Sequence, residues 1–250
     1  MLKMLKYELI RMFRNYSYVF IIYLALSFLL PFISNGQSYQ VTGWAVSIIV
    51  FMIIGISISV YISIIVDFWR SMFGKVGYLT LTLPRSNGEI LLTKLMTAII
   101  WMTFTSLMII LGLFLMVLGT GVLSGINLFS LFSDLSDLIK IIFSDISKAI
   151  GITVLYIISV TILQIMIFYT CMSISNTKIV RNHRLVIAII FFFVINWCYS
   201  FARISLGIDS GNIFDLTNYM WSEIAANTVI TMISFFVCVY ILDNHLEMDS

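Results

Sequence analysis

Apolar residues fill the chain in six blocks, near 16–34, 44–66, 95–119, 150–175, 185–206 and 224–242, and shorter polar stretches separate them. Each block reaches or approaches the ~20 residues a helix needs to cross a ~30 Å hydrocarbon core, so the pattern predicts six transmembrane spans. Ahead of the first block, Leu2, Leu5, Leu9, Met12 and Phe13 share one helical face, while Lys3, Lys6, Arg11 and Arg14 mostly fall elsewhere. That spacing predicts an interfacial helix over 2–15 leading into the first span. Between spans three and four, Leu128, Leu131, Phe132, Leu135, Leu138, Ile139, Ile142, Phe143 and Ile146 recur every three or four residues. They predict a second amphipathic helix, over 128–148, on the outer leaflet. The stretch GIDSGNIFDLTNYMW before span six is turn-rich and then aromatic, and is read as dipping partly into the membrane.

The segment 67–94, between spans two and three, has the most internal structure of the connections. Phe68, Trp69, Met72, Phe73 and Val76 keep helical spacing among Asp67, Arg70, Ser71, Gly74 and Lys75, which predicts a short amphipathic helix. Leu83-Pro84 breaks it, because the residue before a proline is pushed out of the α region. Ser86-Asn87-Gly88-Glu89 then has the S-x-x-E spacing of a capping box, so a new helix is expected near Asn87. The fold class is therefore an all-α membrane protein: one domain over 1–250, six spans, and the three additional helices just described.

Composition agrees with the pattern. Of 250 residues 61% are hydrophobic and 10% charged, and the mean hydropathy is +1.07, which excludes a soluble domain. A net charge of +2 gives no basis for nucleic-acid binding. Its placement is more informative. Four Lys/Arg precede the first span (Lys3, Lys6, Arg11, Arg14), four lie in 67–94 (Arg70, Lys75, Arg85, Lys94) and three between spans four and five (Lys178, Arg181, Arg184). The remaining connections hold three, Lys140, Lys148 and Arg203, so both termini and the 67–94 hinge are expected to be cytoplasmic. The N-terminal stretch lacks a small-residue cleavage site and is expected to be retained. Cys171, Cys198 and Cys238, one per apolar block, form neither a CxxC pair nor a disulfide framework.

Candidate chemistry is sparse. HExxH, GxSxG and the P-loop signature are absent, and the two histidines, His183 and His245, lie in polar segments. No catalytic residue, metal site or resident cofactor is expected, and any ATP must be handled by another chain. The absence of an ionisable residue in mid-span argues against ion-coupled transport. Gly55, Ser59 and Ser63 make a small-residue stripe suited to close helix packing. Gln164 and Asn196, near the middles of spans four and five, either line a substrate path or hydrogen-bond between helices.

Residues 77–86, GYLTLTLPRS, followed by Glu89-Ile90-Leu91-Leu92-Thr93-Lys94-Leu95, resemble the phrase that opens the third span in permease subunits of ABC-2 type transporters. The six-span layout, the N-terminal interfacial helix and the long segment between spans two and three are similar to that family as well. The resemblance implies a multi-pass subunit of a bacterial plasma membrane, paired with a second permease subunit as a homodimer or heterodimer. Two copies of a cytoplasmic ABC ATPase would bind ATP and Mg for it. Phe68, Trp69, Arg70, Met72, Phe73, Lys75 and Val76 would then be the coupling helix, and Pro84, Ser86 and Glu89 the break and cap of span three. The implied activity is export of an amphipathic or hydrophobic substrate such as a peptide, with drugs or lipids as alternatives. The chain itself would not be an enzyme. A non-transporting membrane anchor that recruits a cytoplasmic partner through the same hinge is the competing expectation. The outer helix over 128–148 is longer than this family's pattern leads one to expect.

Overall fold

The computed structural model describes residues 2–34, 39–74, 86–123, 147–177, 184–205 and 216–244. Among them are six long helices: α1 (Leu2–Ser34), α2 (Tyr39–Met72), α3 (Asn87–Leu123), α4 (Ser147–Ser175), α5 (Arg184–Ser205) and α6 (Leu216–Asn244). Each contains a stretch long and apolar enough to cross a membrane, from 18 residues in α1 to 35 in α3. Lipid offers no hydrogen-bonding partner, so a spanning segment must satisfy its backbone internally, and uninterrupted helices do so. Large apolar side chains stay exposed along whole faces, among them Phe51 and Ile58 on α2, Phe193 and Trp197 on α5, and Phe236 and Tyr240 on α6. A water-soluble monomer does not carry such faces. The architecture is that of an all-helical, multi-pass membrane protein.

Element boundaries differ from the sequence expectation in three places. The interfacial segment 2–15 is not a separate helix, because α1 runs without a break from Leu2 to Ser34. No glycine or proline stands between Met1 and Leu30 to stop it, and Pro31 comes only in the last turn. Residues 68–72, expected to open a separate amphipathic helix, are the last turns of α2. Span six starts earlier than expected, at Leu216 instead of near 224, which brings Glu223 into the helix. The outer helix expected over 128–148 lies outside the described residues apart from its end, where α4 begins at Ser147.

Packing divides the chain into two units, one of Leu2–Ile64 and Thr97–Ile146, the other of Ile65–Met96 and Ser147–Ser250, so both α2 and α3 contribute to each. In the first unit α1 and α3 meet through aromatic rings. Phe20 stacks on Trp101 (6.5 Å between centroids, 5° between planes) and meets Phe104 edge-on at 5.5 Å. Glu8 accepts from Thr97 Oγ1 at 3.0 Å, and Tyr16 Oη donates to the Ser59 carbonyl of α2 at 3.1 Å. Tyr23 is fully buried, its hydroxyl donating to the Ile109 carbonyl at 3.1 Å. In the second unit α4 packs along both α5 and α6. Leu163, Ile167 and Cys171 form its centre, with Phe191, Phe192, Ile195, Tyr199 and Ile230 against them.

Gly112 makes the α1–α3 contact at Tyr23 possible. A Cβ there would press into the phenol ring, within 2.6 Å of its oxygen, whereas one at Gly55 would meet nothing within 4 Å. Gly112→Ala is therefore expected to destabilise the protein by ~1–3 kcal/mol, the usual cost of overpacking, and Gly55→Ala to be close to neutral. Denaturation of both variants in the same detergent measures the difference. Equal stability would remove the close fit at Tyr23 as a determinant of packing.

Candidate functional site

The second unit carries two groups of polar side chains, at opposite ends of α6. The first surrounds the hinge. α2 closes with the Phe73 and Gly74 amides both donating to the Trp69 carbonyl, at 2.9 and 3.1 Å. A Cβ on Gly74 would lie 2.7 Å from the Arg70 carbonyl oxygen, so only glycine allows this tight ending. α3 starts at Asn87, where Ser86 Oγ accepts from the Glu89 amide at 3.3 Å, one half of the capping box. Between Gly74 and Ser86 the connection, residues 75–85, lies outside the described residues.

Ties join the helices on both sides of that hinge. Lys94 Nζ lies 2.8 Å from Asp67 Oδ2, with the two side chains 3% and 16% exposed, so an ion pair links the third turn of α3 to the end of α2. Asn87 Nδ2 donates to Asp243 Oδ1 at 2.8 Å and reaches the Leu242 carbonyl at 3.4 Å, joining the start of α3 to the end of α6. Phe68 is fully buried and stacks on Tyr169 of α4, with centroids 3.8 Å apart, while Phe73 meets Phe68 edge-on at 5.9 Å. Near the same end, Ser173 of α4 lies 3.1 Å from the Cys238 sulfur of α6.

The residues expected to form a coupling surface thus divide. Phe68, Met72 and Phe73 are buried within this chain, Trp69 is partly exposed and Arg70 exposed. Lys75, Val76 and Pro84 lie outside the described residues. Gln164 and Asn196 meet each other: Gln164 Nε2 donates to Asn196 Oδ1 at 2.9 Å, and Asn196 Nδ2 returns to the Phe192 carbonyl of its own helix at 2.9 Å. This is the interhelical hydrogen bond that was one of their two readings.

The second polar group is at the other end of α6, and the sequence reading missed it. Arg203 Nη2 of α5 lies 2.8 Å from Glu223 Oε1 of α6, and Glu223 is only 1% exposed. Arg203 also donates to the Tyr219 hydroxyl at 2.9 Å and places its guanidinium 5.6 Å from the Tyr199 ring centre. Tyr199 Oη donates to Asn227 Oδ1 at 2.6 Å, and Asn227 Nδ2 reaches Ser159 Oγ of α4 at 3.3 Å. One connected set of side chains thereby locks α4, α5 and α6 together. The signal was present as two opposite charges on either side of a turn-rich connection, but beginning span six near 224 left Glu223 in the loop. Among the described residues no three His, Cys, Asp or Glu side chains gather as metal ligands.

Removing one member of a buried ion pair leaves the other without its counter-charge, which typically costs 3–5 kcal/mol, while replacing both with apolar groups costs far less. Arg203→Leu is expected to destabilise the protein by roughly that amount, and Arg203→Leu with Glu223→Leu by clearly less than the sum of the two single changes. Unfolding of the four proteins in mixed micelles closes the cycle. Additive effects would show that the pair does not couple α5 to α6.

Comparison with protein-family models, curated proteins and solved structures finds no match at any level. A functional reading therefore rests on the contacts that flank residues 75–85 and on the sequence phrase over 77–95.

Proposed function

We propose that the chain is the membrane-spanning permease subunit of an ATP-driven ABC transporter, with ATP hydrolysed by a separate cytoplasmic chain. The observation that carries the reading is the arrangement around residues 73–86. The buried Asp67–Lys94 pair and the Asn87 contacts with α6 join α2, α3 and α6 at the root of one short connection. A force applied to that connection reaches three spanning helices at once, which is what an energy-coupling segment requires. The phrase over 77–95 supports the same reading from sequence. A subunit of this kind works as a homodimer or heterodimer on two ATPase copies in a bacterial plasma membrane, with its termini and hinge cytoplasmic. Its cargo is an amphipathic or hydrophobic molecule such as a peptide.

In this mechanism nucleotide-driven closure of the ATPases displaces the hinge, and the tied ends of α2, α3 and α6 move with it between two packed arrangements. The ATPase would grip Trp69 and Arg70 and the neighbouring Lys75 and Val76. Phe68 serves the coupling differently, by anchoring the end of α2 on α4, and Phe73 packs on Phe68 while Met72 is buried in the same turns. Gln164 and Asn196 are assigned to helix packing instead of a cargo path.

Coexpression of the tagged full chain with the products of its neighbouring genes tests the reading. A P-loop ATPase should copurify, and its hydrolysis should respond to reconstitution with this chain. Recovery of a partner without a P-loop would favour a membrane anchor and sink the transport reading. In the assembled complex, Trp69→Asp with Arg70→Glu should lower ATPase copurification at least tenfold while leaving helicity and thermal stability nearly unchanged, because neither side chain is buried. Undiminished copurification would take these two residues out of the docking surface.

A further inference from the structure

In the first unit an open apolar groove of about 320 Å³ runs beside the α1–α3 contact, lined by Leu9, Ile10 and Phe13 of α1 and by Ile100, Trp101 and Phe104 of α3. Its depth makes it unusual. α1 has 33 residues, about 50 Å at 1.5 Å per residue, yet its membrane-spanning stretch is the 18 residues Tyr16–Ile33. Residues 9–13 come just before that stretch, whereas Ile100, Trp101 and Phe104 lie inside the apolar stretch of α3, so the groove leads from the membrane surface into the apolar layer. Ile10 and Phe13 are 54% and 55% exposed there.

The charges around the groove indicate what covers it. Lys6 lies three, four and seven positions before Leu9, Ile10 and Phe13, so it stands on the same helical stripe one turn below the groove. Arg14 lies one turn beyond Ile10, and both cations are exposed. Glu8, the acid of this stretch, is buried and accepts from Thr97, on the other flank of the α1–α3 contact. Cations beside an apolar cleft between spanning helices are the general chemistry of anionic lipid recognition.

We propose that this groove is a binding site for an anionic phospholipid. One acyl chain lies against Leu9, Ile10, Phe13, Ile100 and Phe104, and the headgroup phosphate sits between Lys6 and Arg14. The site is independent of the transport reading, since it uses neither the hinge nor any cytoplasmic partner.

Native mass spectrometry of the delipidated full chain, titrated with phosphatidylglycerol or with phosphatidylcholine of the same acyl chains, tests it. Phosphatidylglycerol should be retained about tenfold more tightly, in line with the attraction of two juxtamembrane cations for an anionic lipid. Lys6→Gln with Arg14→Gln should remove that preference and leave the weaker retention common to both lipids. Leu9→Trp, which fills the groove, should reduce retention of both, with circular dichroism and elution profile reporting that each variant keeps its fold. Equal retention of the two lipids by the unaltered chain would overturn the proposal whatever the variants do. So would a groove closed by a second copy of the chain, seen as a lipid-free dimer whose mass distribution Leu9→Trp shifts to monomer.

Discussion

Apolar side chains in a bilayer gain little by leaving lipid for another helix, because lipid tails are as apolar as leucine. What holds particular helices together must then be close steric fit and the few polar contacts available. This constraint gives weight to the few charges and amides that the described residues place at helix contacts. Glu8 on Thr97, Tyr16 on the Ser59 carbonyl, Gln164 on Asn196 and Arg203 on Glu223 each join two helices that would otherwise be free to slide. Where no polar group serves, a fit does: Tyr23 over Gly112 needs the missing Cβ of the glycine. Individually such hydrogen bonds contribute well under ~2 kcal/mol, so their weight lies in fixing register more than in total stability.

The hinge follows the same logic. Its ends are tied by an ion pair with little solvent access and by an asparagine that spans two helix termini, while a phenylalanine stack fixes the end of α2 on α4. Each tie is short and directional, and each joins different helices. Fraying the end of α2 would expose Lys94 and unstack Phe68 together, so the end of α2 is held on α3 and on α4 at once.

The six spans were legible because they rest on composition over ~20 residues, a signal that no local detail reverses. The start of α3 was legible for a different reason: Ser86 and Glu89 carry the capping information within four residues, and the Ser86 hydroxyl meets the Glu89 amide as the spacing requires. Boundaries between an interfacial segment and a span were not legible. Amphipathic spacing over 2–15 and over 68–76 says which face is apolar, but says nothing about whether the helix stops, and α1 and α2 run on. Partner choice was also hidden. Gln164 and Asn196 are 32 positions apart and Asp67 and Lys94 are 27, and only tertiary placement selects one partner among the several polar residues nearby.

The division of the hinge residues shows what apolar spacing alone leaves open. Phe68, Trp69, Met72 and Phe73 look equivalent as an apolar stripe, and a stripe facing a partner protein has the same spacing as one facing the chain's own core. Burial separates them, because a ring stacked at 3.8 Å on Tyr169 cannot also enter another protein's groove without leaving its own. Of the described residues in this stripe, Trp69 is partly exposed and Arg70 beside it exposed, while Phe68, Met72 and Phe73 are buried within the chain, so neighbouring residues of the same two turns face different surroundings.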